Sequence, residues 1–219
     1  MKKIAVILSG CGVYDGAEIH ESVLTLLALE QNGLDYQCFA PNIQQMHVIN
    51  HLTGDVAEGE SRNVLVEAAR IARGNIKDLA QAKESDFDAA VLPGGFGAAK
   101  NLCDFAVKGS DCTVNPDVER FIKAMAAAKK PVGFICIAPA MIPRLYGEGS
   151  KLTIGNDKDT AAAIEAMGGV HMACPVEDIV YDEERNLLST PAYMLAGSVS
   201  EAASGISKLV AKLASLLKS

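Results

Sequence analysis

Short apolar stretches that run into glycine or cysteine recur along this sequence, and they constrain its fold more than any other feature. Residues 3–8 are rich in β-branched side chains and lead into a Ser-Gly-Cys-Gly loop at 9–12. Residues 87–92 lead into Gly94 and Gly95, and residues 132–135 lead into Cys136. Apolar runs of this length that end at glycine are typical of buried strands followed by tight loops.

Helical patterns alternate with these strands. The apolar residues at 19, 23, 26 and 27 keep helical spacing until the Asn32-Gly33 stop signal. Further helices are predicted at 62–73, 98–102, 118–128, 137–145, 157–167 and 199–217. Further strands are predicted at 35–40 and 151–154, and a β-hairpin at 179–181 and 187–190. This alternation predicts one α/β domain over residues 1–219, an open, mostly parallel sheet with helices on both faces and a β-hairpin near the C-terminus.

Composition and charge narrow the possible partners. Almost half of the 219 residues, 49%, are hydrophobic and 5% are aromatic, which suits helices packed on a buried sheet. A net charge of −7 without a Lys/Arg cluster argues against a nucleic-acid partner. The apolar stretch at the N-terminus is too short for a secretory signal, and no run approaches a membrane span. We therefore predict a protein without a membrane partner, located in the cytoplasm, an organelle matrix being the alternative.

The cysteine pattern argues against metal and for a single reactive thiol. Six cysteines are scattered without a C-x-x-C pair, so neither a zinc site nor a redox dithiol is indicated, and we predict no metal and no cofactor. Cys136 differs from the others because it lies between a predicted strand and a predicted helix. Such an elbow exposes a side chain, and the helix dipole would lower the thiol pKa. A buried strand-end thiol without a catalytic role is the alternative.

Neighbouring backbone groups could support chemistry at this thiol. Gly94 and Gly95 let the chain turn its N–H groups toward a ligand. Together with the N–H of Ile137, which follows Cys136, they would form an oxyanion hole for addition of sulphur to a carbonyl.

Several longer motifs resemble a known family. Leu92-Pro-Gly-Gly95, the Cys136 elbow and Glu21 resemble the DJ-1/PfpI superfamily, whose fold is flavodoxin-like and similar to class I glutamine amidotransferases. The segments 7–15, 48–54, 95–102 and 190–195 resemble the ElbB group of isoprenoid-biosynthesis, glyoxalase-like proteins. The resemblance covers nearly the whole chain. It implies a homodimer and a glutamate, Glu21 here, that meets the nucleophilic cysteine as acid/base catalyst.

One departure from the superfamily restricts the chemistry. Many members have a histidine after the nucleophile, whereas this chain has Ile137. Protease, amidase and glutaminase activity are therefore disfavoured, because they need a Cys-His pair. His20 is next to Glu21 and either approaches the site or lies in the core.

Other residues are predicted at most to line the site, each with a simpler alternative. Cys11 and Gly12 lie in the first strand-end loop, where a backbone role for the glycine is the alternative. For Asn101 the alternative is a side chain that positions a loop, and for Tyr193 it is an aromatic residue that closes the fold.

Two hypotheses of function remain. In the first, implied by the resemblance, the chain is a glutathione-independent, glyoxalase-like lyase. Its Cys136 adds to the small aldehyde glyoxal or methylglyoxal, Glu21 moves a proton between the two carbons, and hydrolysis releases a hydroxy acid. In the second, the chain is a redox-responsive or regulatory binding protein whose Cys136 oxidises reversibly, and any aldehyde turnover is incidental.

Overall fold

The computed structural model describes residues 1–218 and places seven strands in one sheet, in the order β3-β2-β1-β4-β5-β9-β8. Every neighbouring pair in it is parallel except β8 and β9, which form an antiparallel hairpin. The strands are β1 (Lys3–Ile7), β2 (Asp35–Ala40), β3 (Ile76–Asp78), β4 (Ala89–Leu92), β5 (Val132–Ile135), β6 (Lys151–Leu152), β7 (Val170–His171), β8 (Val180–Asp182) and β9 (Leu187–Thr190). Strands β6 and β7 pair separately.

Helices cover both faces of the sheet. They are α1 (Ile19–Gln31), α2 (Val64–Ile71), α3 (Phe96–Lys100), α4 (Phe105–Lys108), α5 (Pro116–Ala127), α6 (Ile142–Tyr146), α7 (Lys158–Ala166) and α8 (Val199–Leu216). Alternate residues of β1 point to opposite faces, because successive side chains of a strand alternate. Ile4 and Val6 join a core with α1, α2 and α8, whereas Ala5 and Ile7 join a core with α5, α6 and α7. The predicted fold class is confirmed.

The parallel pairing gathers four strand ends at one edge of the sheet. The carboxyl ends of β1, β4, β5 and β9 lie side by side. After β1 the chain continues to β2 on one side, and β4 lies on the other side. In open α/β sheets, ligands bind at such a point of reversal. The loops that follow these four strands are therefore where a site is expected.

The segment after Cys136 differs from the predicted helix. Instead of one helix over 137–145, a 3-10 helix at Ala138–Met141 precedes α6. Pro139 and Pro143 lack the N–H groups that a continuous α-helix would use. Pro143 lies in the first turn of α6, where proline is tolerated.

Two further properties of residues 1–218 bear on function. None of their helices combines the length and the apolar character that crossing a bilayer requires. Within the same residues, no group of three or more His, Cys, Asp or Glu side chains is arranged to hold a metal ion.

Candidate active site

Cys136 lies at the end of β5 in a strained backbone conformation. Its φ is 63°, a left-handed value that costs a non-glycine residue about 1–2 kcal/mol. Its N–H donates to the carbonyl oxygen of Thr190 at 3.0 Å, so the hydrogen-bonding between β5 and β9 extends to the cysteine itself. The side chain is only 7% exposed. The sequence predicted the elbow correctly, but the thiol is buried and not exposed.

Glu21 lies beside this thiol, in the first turn of α1, and is fully buried. Its Oε2 accepts a hydrogen bond from the N–H of Gly94 at 2.9 Å, and its Oε1 accepts one from the N–H of Tyr193 at 3.1 Å. The carboxyl group also interacts with the Cys136 thiol. Glu21 is therefore held between the ends of β4, β5 and β9, and it is not a solvated helix residue.

The loop at Gly94 and Gly95 is fixed by very close packing. A Cβ on Gly94 would lie 2.3 Å from Cβ of Cys136 and 2.7 Å from Oε2 of Glu21. A Cβ on Gly95, whose φ is 89°, would lie 2.4 Å from the backbone nitrogen of Glu18. The prediction that Gly94 turns its N–H toward a ligand is wrong, because that N–H donates to Glu21. The N–H groups of Gly95 and Ile137 point at the Cys136 sulphur instead.

Burial is the main cause of the raised pKa values of Glu21 and Cys136. Desolvation raises the pKa of Glu21 to about 7, and the nearby Glu18 acts in the same direction. Desolvation also raises the pKa of the Cys136 thiol, with a further contribution from Glu21, and the N–H groups of Gly95 and Ile137 oppose this rise only in part. The predicted lowering of the cysteine pKa is therefore wrong. The 3-10 turn after Cys136 provides no regular helix whose dipole could offset the burial.

A cavity of about 330 Å³ opens above the thiol. Its lining combines apolar side chains with a few polar groups: Val13, Glu18, Gly95, Phe96, Cys136, Ile137, Thr160, Tyr193 and Met194. Apolar clefts with a few convergent polar groups are typical ligand sites. A slightly larger depression of about 360 Å³ contains none of these residues and is lined by lysines and glutamines around Phe39 and Phe87. Of these two cavities, the one over Cys136 has both room for a small ligand and a candidate catalytic side chain in its lining.

Tyr193 and His20 meet at the rim of this cavity. His20 Nδ1 and the Tyr193 hydroxyl are 2.7 Å apart, and their ring centroids are 5.7 Å apart. His20 is exposed, so the suggestion that it is a core residue is wrong. Tyr193 lines the cavity, as the sequence suggested.

Four of the residues predicted to line the site, Cys11, Gly12, His20 and Asn101, do not line the cavity. Cys11 and Gly12 lie in the loop after β1, and their neighbour Val13 reaches the cavity. Asn101 positions this loop, because its Nδ2 donates to the carbonyl oxygens of Ser9 and Asp15, each at 2.9 Å. The alternative of a loop-positioning role was therefore the correct one for Asn101.

Sequence reasoning missed two polar residues of the cavity. Glu18 caps α1, its Oε2 accepting from the N–H of Glu21 at 2.6 Å, and the residue is buried. Its position three residues before Glu21, at the start of a helix, was a usable signal because acidic side chains satisfy N–H groups there. Thr160, in the first turn of α7, comes from a distant part of the chain and carried no such signal.

Known proteins resemble this chain over nearly its full length. No family model matches it. The human glutamine amidotransferase-like class 1 domain-containing protein 3, mitochondrial, is 45% identical over 98% of this chain and 83% of its own length. A crystal structure of an isoprenoid biosynthesis protein with an amidotransferase-like domain from Ehrlichia chaffeensis has 38% identity and a TM-score of 0.92, covering 99% of this chain and 100% of that one.

A more remote structure shares the fold. DJ-1beta from Drosophila melanogaster is 18% identical, with a TM-score of 0.58 over 99% of this chain and 90% of its own.

The names of the curated relatives correct one prediction. The human protein, the rat ES1 protein homolog and the zebrafish ES1 protein are all named as mitochondrial. This finding overturns the predicted cytoplasmic location. The 45% identity to the human protein nevertheless confirms the resemblance inferred from the motifs. This chain thus belongs to the glutamine amidotransferase-like class 1, or ES1, family.

Proposed function

We propose that the chain is a cofactor-free, glyoxalase-like enzyme that converts glyoxal or methylglyoxal to a hydroxy acid. The observation that carries the proposal is the burial of the Cys136 thiol and the Glu21 carboxyl together beneath a cavity open to small molecules. A general base works best when its pKa lies near the working pH, and the pKa of Glu21 is about 7.

The first step is addition of sulphur to the aldehyde. Because the pKa of Cys136 is raised, the thiol enters the reaction protonated, and the Glu21 carboxylate takes its proton as the C–S bond forms. The aldehyde oxygen becomes an alkoxide on the carbon that now carries the sulphur. The N–H groups of Gly95 and Ile137, which point at the sulphur, are the donors that would stabilise this oxygen. Transfer of that proton from Glu21 to the alkoxide gives a thiohemiacetal and returns Glu21 to the carboxylate.

An internal redox step follows. Glu21 removes the hydrogen on the carbon attached to sulphur as a proton, and the electron pair forms an enediol with the neighbouring carbon. Return of the proton to that neighbouring carbon reduces it to an alcohol and oxidises the first carbon to a thioester. Water then cleaves the thioester, releasing the hydroxy acid and the Cys136 thiol. In the overall reaction the aldehyde and one water molecule give the hydroxy acid, so no external oxidant or reductant is needed.

The charge of the cavity favours a neutral substrate. Among the described residues that line it, Glu18 carries a carboxylate, and neither Lys nor Arg is present to pair with a substrate anion. Like charges brought together in a desolvated site are strongly disfavoured. Neutral aldehydes such as glyoxal and methylglyoxal satisfy this condition.

Burial argues against the alternative of a redox sensor. Cysteines that sense oxidants are accessible and have a low pKa. Cys136 is 7% exposed and its pKa is raised. This environment suits a thiol that reacts with a molecule held in the cavity.

The test is hydroxy-acid formation from methylglyoxal without glutathione, in wild type and in Cys136→Ser. A matched control is Cys11→Ser, which changes a half-buried thiol that does not line the cavity. We expect the control to keep full turnover and Cys136→Ser to lose it with an unchanged circular-dichroism spectrum. Turnover retained by folded Cys136→Ser, or absent from wild type, would refute the proposal.

A further inference from the structure

The Tyr193–His20 contact connects the cavity with solvent. The Tyr193 hydroxyl is 2.7 Å from His20 Nδ1, a short distance for this pair of atoms. Tyr193 lines the cavity, whereas His20 is exposed. Protons can therefore pass between solvent and the cavity through these two side chains.

The position of Tyr193 is tied to the catalytic pair. Its backbone N–H donates to Oε1 of Glu21 at 3.1 Å. The preceding residue, Ala192, is fully buried and has a φ of 43°, a conformation that is strained for alanine. This bend after β9 directs the backbone of Tyr193 toward Glu21 while its ring faces the cavity. Burial raises the pKa of the hydroxyl, which also lies near enough to Glu18 and Glu21 for both to raise that pKa further.

The proposed reaction requires two protons to move, and Glu21 accounts for one. In the enediol step a proton passes from the carbon attached to sulphur to its neighbour, which is the role of Glu21. The oxygen on that neighbouring carbon must also gain a proton, because it changes from carbonyl to hydroxyl. The oxygen on the first carbon loses one. Both oxygens of Glu21 already accept N–H donors, from Gly94 and Tyr193, so a separate donor suits the second proton.

We propose that the Tyr193 hydroxyl donates this second proton to the substrate oxygen and that His20 replaces it from solvent. Tyr193 is the catalytic residue of this step, and His20 acts through it. The proton lost from the other oxygen leaves to water, so the protons balance over the cycle. Burial raises the pKa of Tyr193, which keeps the hydroxyl protonated as a donor. This inference rests on the proposed glyoxalase-like function.

The test compares Tyr193→Phe and His20→Ala with wild type on methylglyoxal. Tyr193→Phe keeps the ring and the N–H to Glu21 and removes only the hydroxyl. We expect kcat to fall about 10²-fold in each variant, as for loss of a general acid. Imidazole added to the buffer should restore His20→Ala, since that site is exposed, and should not restore Tyr193→Phe. Tyr36→Phe, whose hydroxyl contacts Glu30, is the matched control and should behave as wild type.

The outcomes separate this inference from the proposal on which it rests. Iodoacetamide alkylation of Cys136 should be unchanged in both variants, which shows that the site remains assembled. Unimpaired turnover by Tyr193→Phe overturns the role of its hydroxyl while the glyoxalase function stands. Loss in His20→Ala that imidazole does not restore overturns the relay. Absence of turnover in wild type overturns both proposals together.

Discussion

Replacing Glu21 by Gln should remove a pH dependence of stability that the wild-type protein carries. The pKa of Glu21 rises from 4.5 to about 7 on folding, mainly through burial. A group whose pKa is raised in the folded state contributes stability that is present below its unfolded pKa and is lost as pH rises through the folded pKa. The wild-type free energy of unfolding should therefore fall by about 3 kcal/mol between about pH 4.5 and pH 8 from this group alone.

The Gln variant separates this charge effect from hydrogen bonding. Glutamine has nearly the same shape and stays neutral, but it offers one oxygen where Glu21 accepts N–H groups from both Gly94 and Tyr193. One N–H then loses its acceptor, which costs about 1–3 kcal/mol at every pH. Glu21→Gln should accordingly be less stable than wild type near pH 4.5. Its deficit should shrink, and can reverse, by pH 8.

Urea denaturation of both proteins at intervals between pH 4.5 and 8 measures this difference. Titrating groups that do not interact with Glu21 contribute equally to both proteins and cancel in the comparison. Glu30→Gln, a change of an exposed glutamate on the same helix, is the control, and its curve should parallel that of wild type. Parallel curves for wild type and Glu21→Gln would refute the reasoning, because they would mean that Glu21 titrates in the folded protein as it does in the unfolded chain.

Three other expectations test the site. Gly94→Ala should lose about 1–3 kcal/mol of stability and most of the turnover, because the added Cβ would overlap Cys136. Gly197→Ala is the control and should change little, since the atom nearest to its added Cβ is 3.5 Å away. Urea denaturation measures the stability of both variants, and the methylglyoxal assay measures their turnover. Glu21→Gln should accelerate iodoacetamide alkylation of Cys136 at pH 8.5 while abolishing turnover, because the charge of Glu21 raises the cysteine pKa; slower alkylation would contradict this. Glyoxylate, an aldehyde whose neighbouring carbon is a carboxylate and cannot be reduced in this reaction, should inhibit methylglyoxal turnover only weakly, and Glu18→Gln should strengthen that inhibition in competition assays.

Local sequence patterns predicted the parts of the fold that local physics determines. The strands at 35–40 and 132–135 were predicted with the bounds that the structure has. The apolar run at 132–135 is typical of a strand that is buried on both faces of a parallel sheet. The hairpin of β8 and β9 was equally local. Strands β3 and β7 were not predicted, because runs of three and two residues carry too little periodicity.

The sequence predicted where the site lies, but it did not predict the burial or the pKa of the reactive thiol. Cys136 was identified by its place between a strand and a turn, yet its pKa was predicted in the wrong direction. Exposure of that side chain depends on Glu21, on the Gly94 loop and on the segment after β9, which are far apart in sequence. Such long-range packing decides both the burial and the charge of the thiol.

The positions of the residues with a strained backbone indicate a functional site at the carboxyl ends of β5 and β9. Among residues 1–218, five non-glycine residues have positive φ, and three of them, Arg73, Lys129 and Asn186, lie in turns after helices or within the hairpin. The other two, Cys136 and Ala192, are buried at the ends of the adjacent strands β5 and β9. Each costs about 1–2 kcal/mol, and ionised Glu21 between them costs about 3 kcal/mol more.

These costs are large against the net stability of a domain, about 5–15 kcal/mol, and they fall on groups in contact with one another. A purely structural role would be met more stably by glycine at both strained positions and, at position 21, by a side chain that accepts the N–H groups of Gly94 and Tyr193 without becoming charged. Strain and buried charge persist where the surrounding structure enforces them, and they concentrate at sites of chemistry. The energetics of Cys136, Glu21 and Ala192 therefore argue for catalysis independently of the family resemblance.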